Sequence, residues 1–445
     1  MKKLFVLLIA ILVLVPVAFA QEEETAPVDP SKELQTDFII DRVQHGLMPT
    51  SVRSLGMGNV GIALPSNSDS FFFNPASLAD HKFQLSLPSV AVTVNHVYDL
   101  IKPGSDGESI LSSLLDMNMN GSEDDMQDMI GPAVKGVLSL LKKGLGKIAT
   151  VDAGLSFSIG GFGMATNVQA NIYTYGKAGL AGEGQLDFTK AALFAEVKAT
   201  ETLGLGLRFQ VSDDFSIDAG VAARFSYLAY TGPINADKVL SSFGFNSDGS
   251  ASEEGPAADP MAFLNEMPLA AGWSVPVDLG LTFNMPYGFT AAVVYRNLDI
   301  FGYQMQIYDN YEGFLSDWAA SFDMDGDGKF KIKNYGSLDL GFAWQWDNAL
   351  FRPTIAFDII DVVGMCQTKD FGLKDFVYHL NIGAEIELLS VLDIRGGLNQ
   401  GYWTVGAGLN LYVLKLDVAY FWDEMGAYAG EAPLDGLAVR LNIGW

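Results

Sequence analysis

Few residues of this 445-residue chain could move a proton or hold a metal, and they are scattered. Its histidines are His45, His81, His96 and His379, and none falls at a Ser/His/Asp or metal-ligand spacing, so no catalytic centre is expected. Cys366 is the only cysteine and has no internal disulfide partner. One segment has the oxygen-rich spacing of a calcium loop. Asp323-Met324-Asp325-Gly326-Asp327-Gly328 offers side-chain oxygens at alternate positions and a glycine for the sharp turn. The twelfth position is Asn334, which cannot supply a bidentate carboxylate, and a strand pattern follows where a helix belongs. Asp323, Asp325 and Asp327 therefore predict calcium binding at roughly millimolar affinity at best, against the plainer alternative of a solvated acidic loop. No other cofactor is expected.

Other spacings concern greasy and ionic contacts. Between 97 and 149, Met126, Met129, Ile130, Val134, Val137, Leu138, Leu141 and Leu145 recur every three or four residues, the period of an amphipathic helix. Such a helix either buries its own apolar face as a cap or offers a groove. In the second case Met117, Met126, Met129, Ile130, Val134 and Leu138 would meet a hydrophobic small molecule, for which flexible thioethers suit variable shapes. Elsewhere, Arg224, Arg296, Arg352, Arg395 and Arg440 fall on the same alternating positions as Asp218, Asp278, Asp339, Asp358, Asp393 and Asp417. Two readings stay open for them: a salt-bridged, solvated interior, or a polar path or contact surface for a plug.

These residues need elements to position them, and the elements alternate with period two. Leu437, Val439, Leu441, Ile443 and Trp445 interleave with Ala438, Arg440, Asn442 and Gly444. Leu414, Leu416, Val418, Tyr420 and Trp422 do the same, as do Phe376, Tyr378, Leu380, Ile382, Ala384, Ile386 and Leu388. Large apolar side chains on one face of many segments of about ten residues are what lipid demands of a membrane barrel. Strands are predicted near 83–96, 150–159, 162–176, 186–211, 215–230, 272–284, 289–298, 336–346, 351–360, 376–389, 391–399, 401–411, 413–424 and 434–445. That is about fourteen, an even number, as closure from one side requires. Short links, such as Gly160-Gly161, Ser212-Asp213-Asp214 and Met285-Pro286-Tyr287-Gly288, alternate with long ones at 97–149, 231–271, 299–335 and 361–375. The strand 186–211 is expected to bulge or kink near Thr200-Glu201-Thr202.

The ends agree with export. Lys2 and Lys3 precede an apolar run from Leu4 to Val17 and an Ala18-Phe19-Ala20 site, the parts of a cleaved signal peptide over 1–20. Residues 21–45 form an acidic lead-in. A terminal aromatic on an alternating strand, Trp445, suits the outer-membrane barrel assembly machinery as a partner. With a formal net charge of −26, nucleic acid is excluded as a partner; outer-membrane lipid is expected instead.

Residues 46–82 do not read as wall. Arg53-Ser54-Leu55-Gly56-Met57-Gly58, a small-residue spacer and Phe73-Asn74-Pro75-Ala76-Ser77-Leu78 predict compact, irregular backbone. At membrane depth such backbone survives only inside protein. Here the sequence resembles the FadL-type family of long-chain fatty-acid and hydrocarbon transporters of the outer membrane. That resemblance implies a hatch over 46–82 carrying Gly56, Gly58, Asn74, Pro75 and Ala76, within an all-β, up-and-down, antiparallel transmembrane barrel over 83–445. It also implies passive movement of hydrophobic molecules: capture by outer loops, a lumenal site, a hatch rearrangement and sideways exit. Two other readings stand beside it. One is a non-transporting adaptor that holds exported protein, like the shuttle proteins of type IX secretion; the other is a general porin. A transporter predicts an apolar pocket from the loop 97–149 to the hatch. An adaptor predicts a sealed lumen.

Overall fold

A computed structural model describes residues 50–64, 69–80, 83–102, 146–176, 179–180, 186–187, 191–231, 234–242, 244–246, 252, 267–299, 301–323, 328–348, 350–368, 371–425, 429–430 and 432–444. The alternating segments pair with their sequence neighbours into a closed antiparallel barrel of 14 strands. In chain order they are β1 (Phe83–Asn95), β2 (Gly146–Ile159), β3 (Phe162–Gly176), β4 (Ala191–Ser212) and β5 (Phe215–Thr231). Then come β6 (Val277–Asn284), β7 (Phe289–Leu298), β8 (Ser337–Gln345), β9 (Phe351–Ile359) and β10 (Leu380–Leu388). The last are β11 (Leu392–Asn399), β12 (Tyr402–Leu411), β13 (Leu414–Glu424) and β14 (Pro433–Gly444). Closure is made by β1 against β14, with Val94 opposite Leu437 and Ser86 opposite Gly444. Closing the sheet leaves no edge strand, which a bilayer would not tolerate.

Exposure separates the two faces of the wall. On β14, Leu437, Val439, Leu441 and Ile443 are exposed, whereas Ala438, Arg440 and Asn442 between them are buried. On β4 the outward row Leu203, Leu205, Leu207, Phe209 and Val211 reaches 66% exposure at Leu207. An apolar belt running around the molecule far exceeds the few-hundred-Å² patches that water-soluble monomers show. Lipid is the solvent that satisfies it. Aromatic side chains mark both rims: Tyr287, Phe289, Phe351 and Tyr412 at one end of the strands, and Phe225, Trp318, Phe322 and Trp403 toward the other.

The structure amends several expectations. β4 carries no bulge at 200–202: Asn167, Thr166 and Ala165 face Thr200, Glu201 and Thr202 in unbroken register. Thr200 and Thr202 point inward and are buried, and the outward Glu201 takes a hydrogen bond from the Thr166 hydroxyl. That strand starts at Ala191, because Leu186–Asp187 pairs with Gly179–Leu180 in a separate small hairpin. The expected strand start at 376 is a helix, Leu373–Tyr378, and β10 begins only at Leu380. β2 begins at Gly146, inside the expected loop 97–149, whose first residues Val97–Ile101 are helical. The rest of that loop lies outside the described residues, as do the signal-peptide segment, the lead-in and Trp445.

The segment 299–335, expected as an outer loop, extends the wall. Leu269–Ser274, Tyr303–Tyr308 and Lys329–Ile332 continue β6, β7 and β8 outward and pair with one another. Between the two tiers the ladder breaks at Val275-Pro276, from Leu298 to Tyr303, and from Ile332 to Ser337. Proline brings no N–H to that level. The Asp299 carboxylate bridges the gap instead, accepting from Ser274 Oγ (2.5 Å), the Phe301 and Gly302 N–H groups (both 3.0 Å) and Asn334 Nδ2 (3.3 Å). Tyr311–Asp317 and the 3-10 turn Trp318–Phe322 fold back onto the outer face of this extension. There the Phe322 ring lies 6.3 Å from both Phe225 and Trp273, and the Tyr227 hydroxyl meets Ser321 Oγ at 3.0 Å.

Candidate functional site

The inner face of the barrel is filled by residues 50–64 and 69–80, here called the inner segment. It consists of α1 (Val52–Gly56), α2 (Ser70–Phe73) and a 3-10 turn, Pro75–Asp80. Ser51 starts α1 by accepting from the Ser54 N–H, the usual N-cap bond. Small wall residues make room for it. A Cβ at Gly220 would strike the Pro75 backbone, one at Gly280 the Asn74 side chain, and one at Gly383 the Met57 carbonyl. Between these glycines, Val52 packs on Ala91, Ala419 and Ala438, and Met57, Val60 and Ile62 pack near Ala292, Ala343 and Ala356.

Polar bonds then fix the segment. Gly58 has φ +67°, which a side chain would strain, and its N–H donates to Thr404 Oγ1 at 2.8 Å. The same hydroxyl donates to the Gly56 carbonyl at 3.2 Å. Asn74 uses its whole amide: Nδ2 donates to the Ile62 carbonyl (3.0 Å) and Thr282 Oγ1 (2.8 Å), and Oδ1 accepts from the Ala76 N–H (3.0 Å). One Asp358 oxygen, Oδ2, accepts from the Gly61 and Ile62 N–H groups at 2.6 and 3.1 Å. Arg53 grips Glu385 with two bonds of 2.9 and 2.6 Å. Glu385 also accepts from Arg395, which reaches Asp393 and Asp417 as well. Asp69 pairs with Arg440 and takes a 2.9 Å bond from Ser51. Burial alone would push the Asp69 carboxyl up, but the Arg440 guanidinium and the Ser51 hydroxyl hold it below its ordinary value. At the opposite end Arg208 joins Asp80 to Asp218.

The two readings of the inward charges therefore merge: they are salt bridges, and several of them hold the inner segment. Arg224–Asp278 (2.7 Å), Arg296–Asp339 (2.5 Å) and Arg352–Glu387 (3.1 Å) pair within the wall.

Above the inner segment a cavity of about 340 Å³ remains. Its floor is Thr50, Asn59, Ile62 and Phe73, and its walls come from the strand ends opposite the Gly160-Gly161 and Ser212-Asp213-Asp214 turns, including Asn95, Lys147, Tyr173, Asn399 and Glu424. It therefore faces outward. Amides and hydroxyls dominate the lining, so the apolar pocket expected of a hydrocarbon carrier is not what the described residues form here. His379 lines it too, with Nδ1 2.8 Å from the Ile360 carbonyl. Sequence reasoning did not single out Asn95, Asn171, Asn381, Asn399 or Lys198. Their signal was available as amides or a cation on inward positions of otherwise apolar strands.

Of the expected site residues, Gly56, Gly58, Asn74, Pro75 and Ala76 all sit in the inner segment against the wall. Met117, Met126, Met129, Ile130, Val134 and Leu138 lie outside the described residues, as do Asp325 and Asp327. Asp323 is exposed at the end of the 3-10 turn, while Asn334 is buried and bonded to Asp299. Among the described residues no group of three or more His, Cys, Asp or Glu side chains is placed to hold a metal.

No family model matches this chain, and none of the curated proteins does. Solved structures do. The toluene transporter TbuX of Ralstonia pickettii is 13% identical over 90% of this chain and 98% of its own, with a TM-score of 0.44. The P. putida toluene transporter TodX is 13% identical with the same coverages and a TM-score of 0.40. A FadL homologue of Pseudomonas aeruginosa is 13% identical over 89% of this chain and 98% of its own, at 0.38. The likeness is one of architecture. The functional reading rests on this chain's own residues.

Proposed function

We propose that this chain is an outer-membrane passive channel that admits small molecules with hydrophobic parts, long-chain fatty acids being the default cargo of the family it resembles. The observation that carries the reading is the inner segment, packed wall to wall in a lipid-facing barrel, with a cavity on its outward side among the described residues. A volume of about 340 Å³ falls at the lower end of small-ligand sites, which run from about 300 to 1,000 Å³. In this scheme the loop 97–149 captures cargo, the cavity receives it, and a shift of the inner segment lets it leave. Support for a sideways exit comes from the break across β6 to β8. Pro276, Asn297, Tyr303 and Asn334 line the cavity at that level, and Val275, Leu298, Phe301 and Tyr335 are exposed. The barrel would reach the membrane through the assembly machinery that inserts outer-membrane barrels.

A second reading, the non-transporting adaptor, is favoured by one feature: the ion pairs of Arg53 and Asp69 and the polar cavity lining close the described lumen to a greasy path. Uptake of a labelled fatty acid, and separately of the alcohol of equal chain length, into liposomes carrying the purified barrel separates the two. The channel reading expects protein-dependent uptake of at least one of them, changed when residues 46–80 are deleted. A folded wild-type barrel that takes up neither supports the adaptor.

A further inference from the structure

We infer that the cavity above the inner segment takes the polar head of an amphipathic molecule, and that this head is an uncharged hydrogen-bond donor (an alcohol, amide or sugar hydroxyl) instead of a carboxylate. This deepens the channel reading and rests on it.

The cavity's chemistry excludes a bare hydrocarbon as its best occupant. Asn59, Asn95, Asn171, Asn381, Asn399 and Gln169 converge on it. Each amide both donates and accepts, which matches a neutral hydroxylated group. Several already bond within the wall, Asn171 to Thr150, Gln169 and Glu196 and Asn399 to the Trp422 carbonyl, so an alkane would chiefly leave the remaining capacity unmet, above all the Asn95 oxygen.

Charge argues against a carboxylate. The lining cations are largely answered from within the wall: Arg224 by Asp278 and Arg296 by Asp339. Lys198 stands two residues from the buried Glu196 on the same strand face, and Lys147 sits 5.5 Å over the Tyr173 ring. Against these cations the same lining holds Asp358, Asp361, Asp423 and Glu424 besides Glu196 and Asp339. An anionic head would enter a chamber whose formal charge already leans negative.

Two orphaned acceptors point to a donor. Asn95 Oδ1 and Asp358 Oδ1 are buried, belong to lining residues, and have no hydrogen-bond partner among the described residues. Buried acceptors in folded proteins are nearly always met by a donor. A hydroxyl or an amide N–H can meet them; an ionised carboxylate has no hydrogen to give. The lining donor in the same state, Arg224 Nε, belongs to a guanidinium whose charge Asp278 answers. Outward of the cavity, Tyr173, Leu228, Tyr230, Tyr303, Met305 and Ile332 form an apolar inner wall, of which Tyr173 and Tyr303 also line the cavity. A tail leaving the polar lining outward runs onto these side chains.

The test uses the full-length barrel in nanodiscs and three probes of equal chain length: radiolabelled decanol, decanoate and decane, dialysed to equilibrium against empty nanodiscs. Decanol is expected to bind saturably and at least about tenfold tighter than decanoate, with decane showing only lipid partitioning. Asp358→Asn keeps an oxygen for the Gly61 and Ile62 N–H groups and places an amide N–H where the orphaned acceptor stood. It is expected to weaken decanol and strengthen decanoate. Asn95→Ser, which shortens the other orphaned acceptor, should weaken decanol alone. Decanoate binding as tightly as decanol, an unchanged decanol-to-decanoate affinity ratio in Asp358→Asn, or no saturable binding by a correctly folded barrel would each overturn the inference. None of these results decides transport, which the liposome assay with the 46–80 deletion judges separately.

Discussion

Replacing Arg53 with alanine removes both bonds that tie α1 to β10, Nε and Nη2 to the two Glu385 oxygens at 2.9 and 2.6 Å. Hydrogen bonds to charged groups contribute about 1.5–3 kcal/mol each. The loss should fall short of two such terms, because Glu385 keeps its 2.6 Å bond to Arg395 and is not left buried and alone. A net cost of about 2–3 kcal/mol to the docked inner segment translates into roughly 30- to 150-fold more of the undocked form. A reporter for that equilibrium is Val52→Cys, at a position fully buried against Ala91, Ala419 and Ala438, in a chain whose exposed Cys366 is changed to serine. With labelling slow relative to re-docking, the rate of thiol modification scales with the undocked population. Arg53→Ala should raise that rate by the factor above, and Arg53→Lys, which cannot make the bidentate contact, should fall between. Electrophoretic mobility with and without heating checks that the barrel itself stays folded. An Arg53→Ala chain that labels no faster than its parent would refute the idea that this ion pair holds the segment in place.

The same packing sets other outcomes. Gly383→Val puts side-chain atoms where the Met57 carbonyl now lies; overpacking costs about 1–3 kcal/mol, so thiol labelling of the Val52→Cys reporter should rise about 5- to 150-fold while the wall still closes. The Asp69–Arg440 contact has a pH signature. Because the Asp69 carboxyl is held below its ordinary value, its contribution is complete above that value and is lost as pH falls through the lowered one. Labelling should therefore be flat around neutrality and rise in acid, whereas Asp69→Asn should label fast throughout. Calcium titrated by calorimetry should show no saturation below roughly millimolar concentrations, since Asn334 replaces the bidentate ligand; micromolar binding would show that the loop 323–334 closes around the ion by another route.

Much of the wall was legible because lipid imposes a rule that every strand obeys. From β9 to β14 most strand ends lie within one residue of those read from alternation, and the tight turns fall at the expected links. The exceptions have physical causes. Phe376 and Tyr378 extend the alternating row of β10, yet helix Leu373–Tyr378 precedes the strand, since two residues of alternation cannot distinguish a helix from a strand end. Thr200-Glu201-Thr202 looked like an interruption because a carboxylate faces outward there. Glu201 lies just beyond the exposed row Leu203–Val211, beside the Thr166 hydroxyl, and there a charge is tolerated that the bilayer midplane would penalise. The extension formed by 269–274, 303–308 and 329–332 was hidden because those short runs sit among loop-like residues and are fixed by partners far along the chain. For the inner segment, the closely spaced glycines and the Asn74-Pro75-Ala76 turn announced irregular backbone. Its partners, Thr282, Asp358, Glu385 and Thr404, were not readable, because inward polar residues on different strands carry no mark of which ones meet.

Membrane insertion of this barrel requires outward apolar rows facing lipid and inward polar rows facing a filled lumen. The most direct measurement is a nitroxide scan of β14 in lipid bilayers, placing one label at each position from 437 to 443 in the Cys366→Ser chain and comparing relaxation by oxygen with that by a water-soluble nickel complex. Oxygen accessibility is expected to peak at 437, 439, 441 and 443, with labels at 438, 440 and 442 shielded from oxygen. A scan without that period of two, or one in which the nickel complex reaches 439 and 441 as readily as oxygen does, would contradict it.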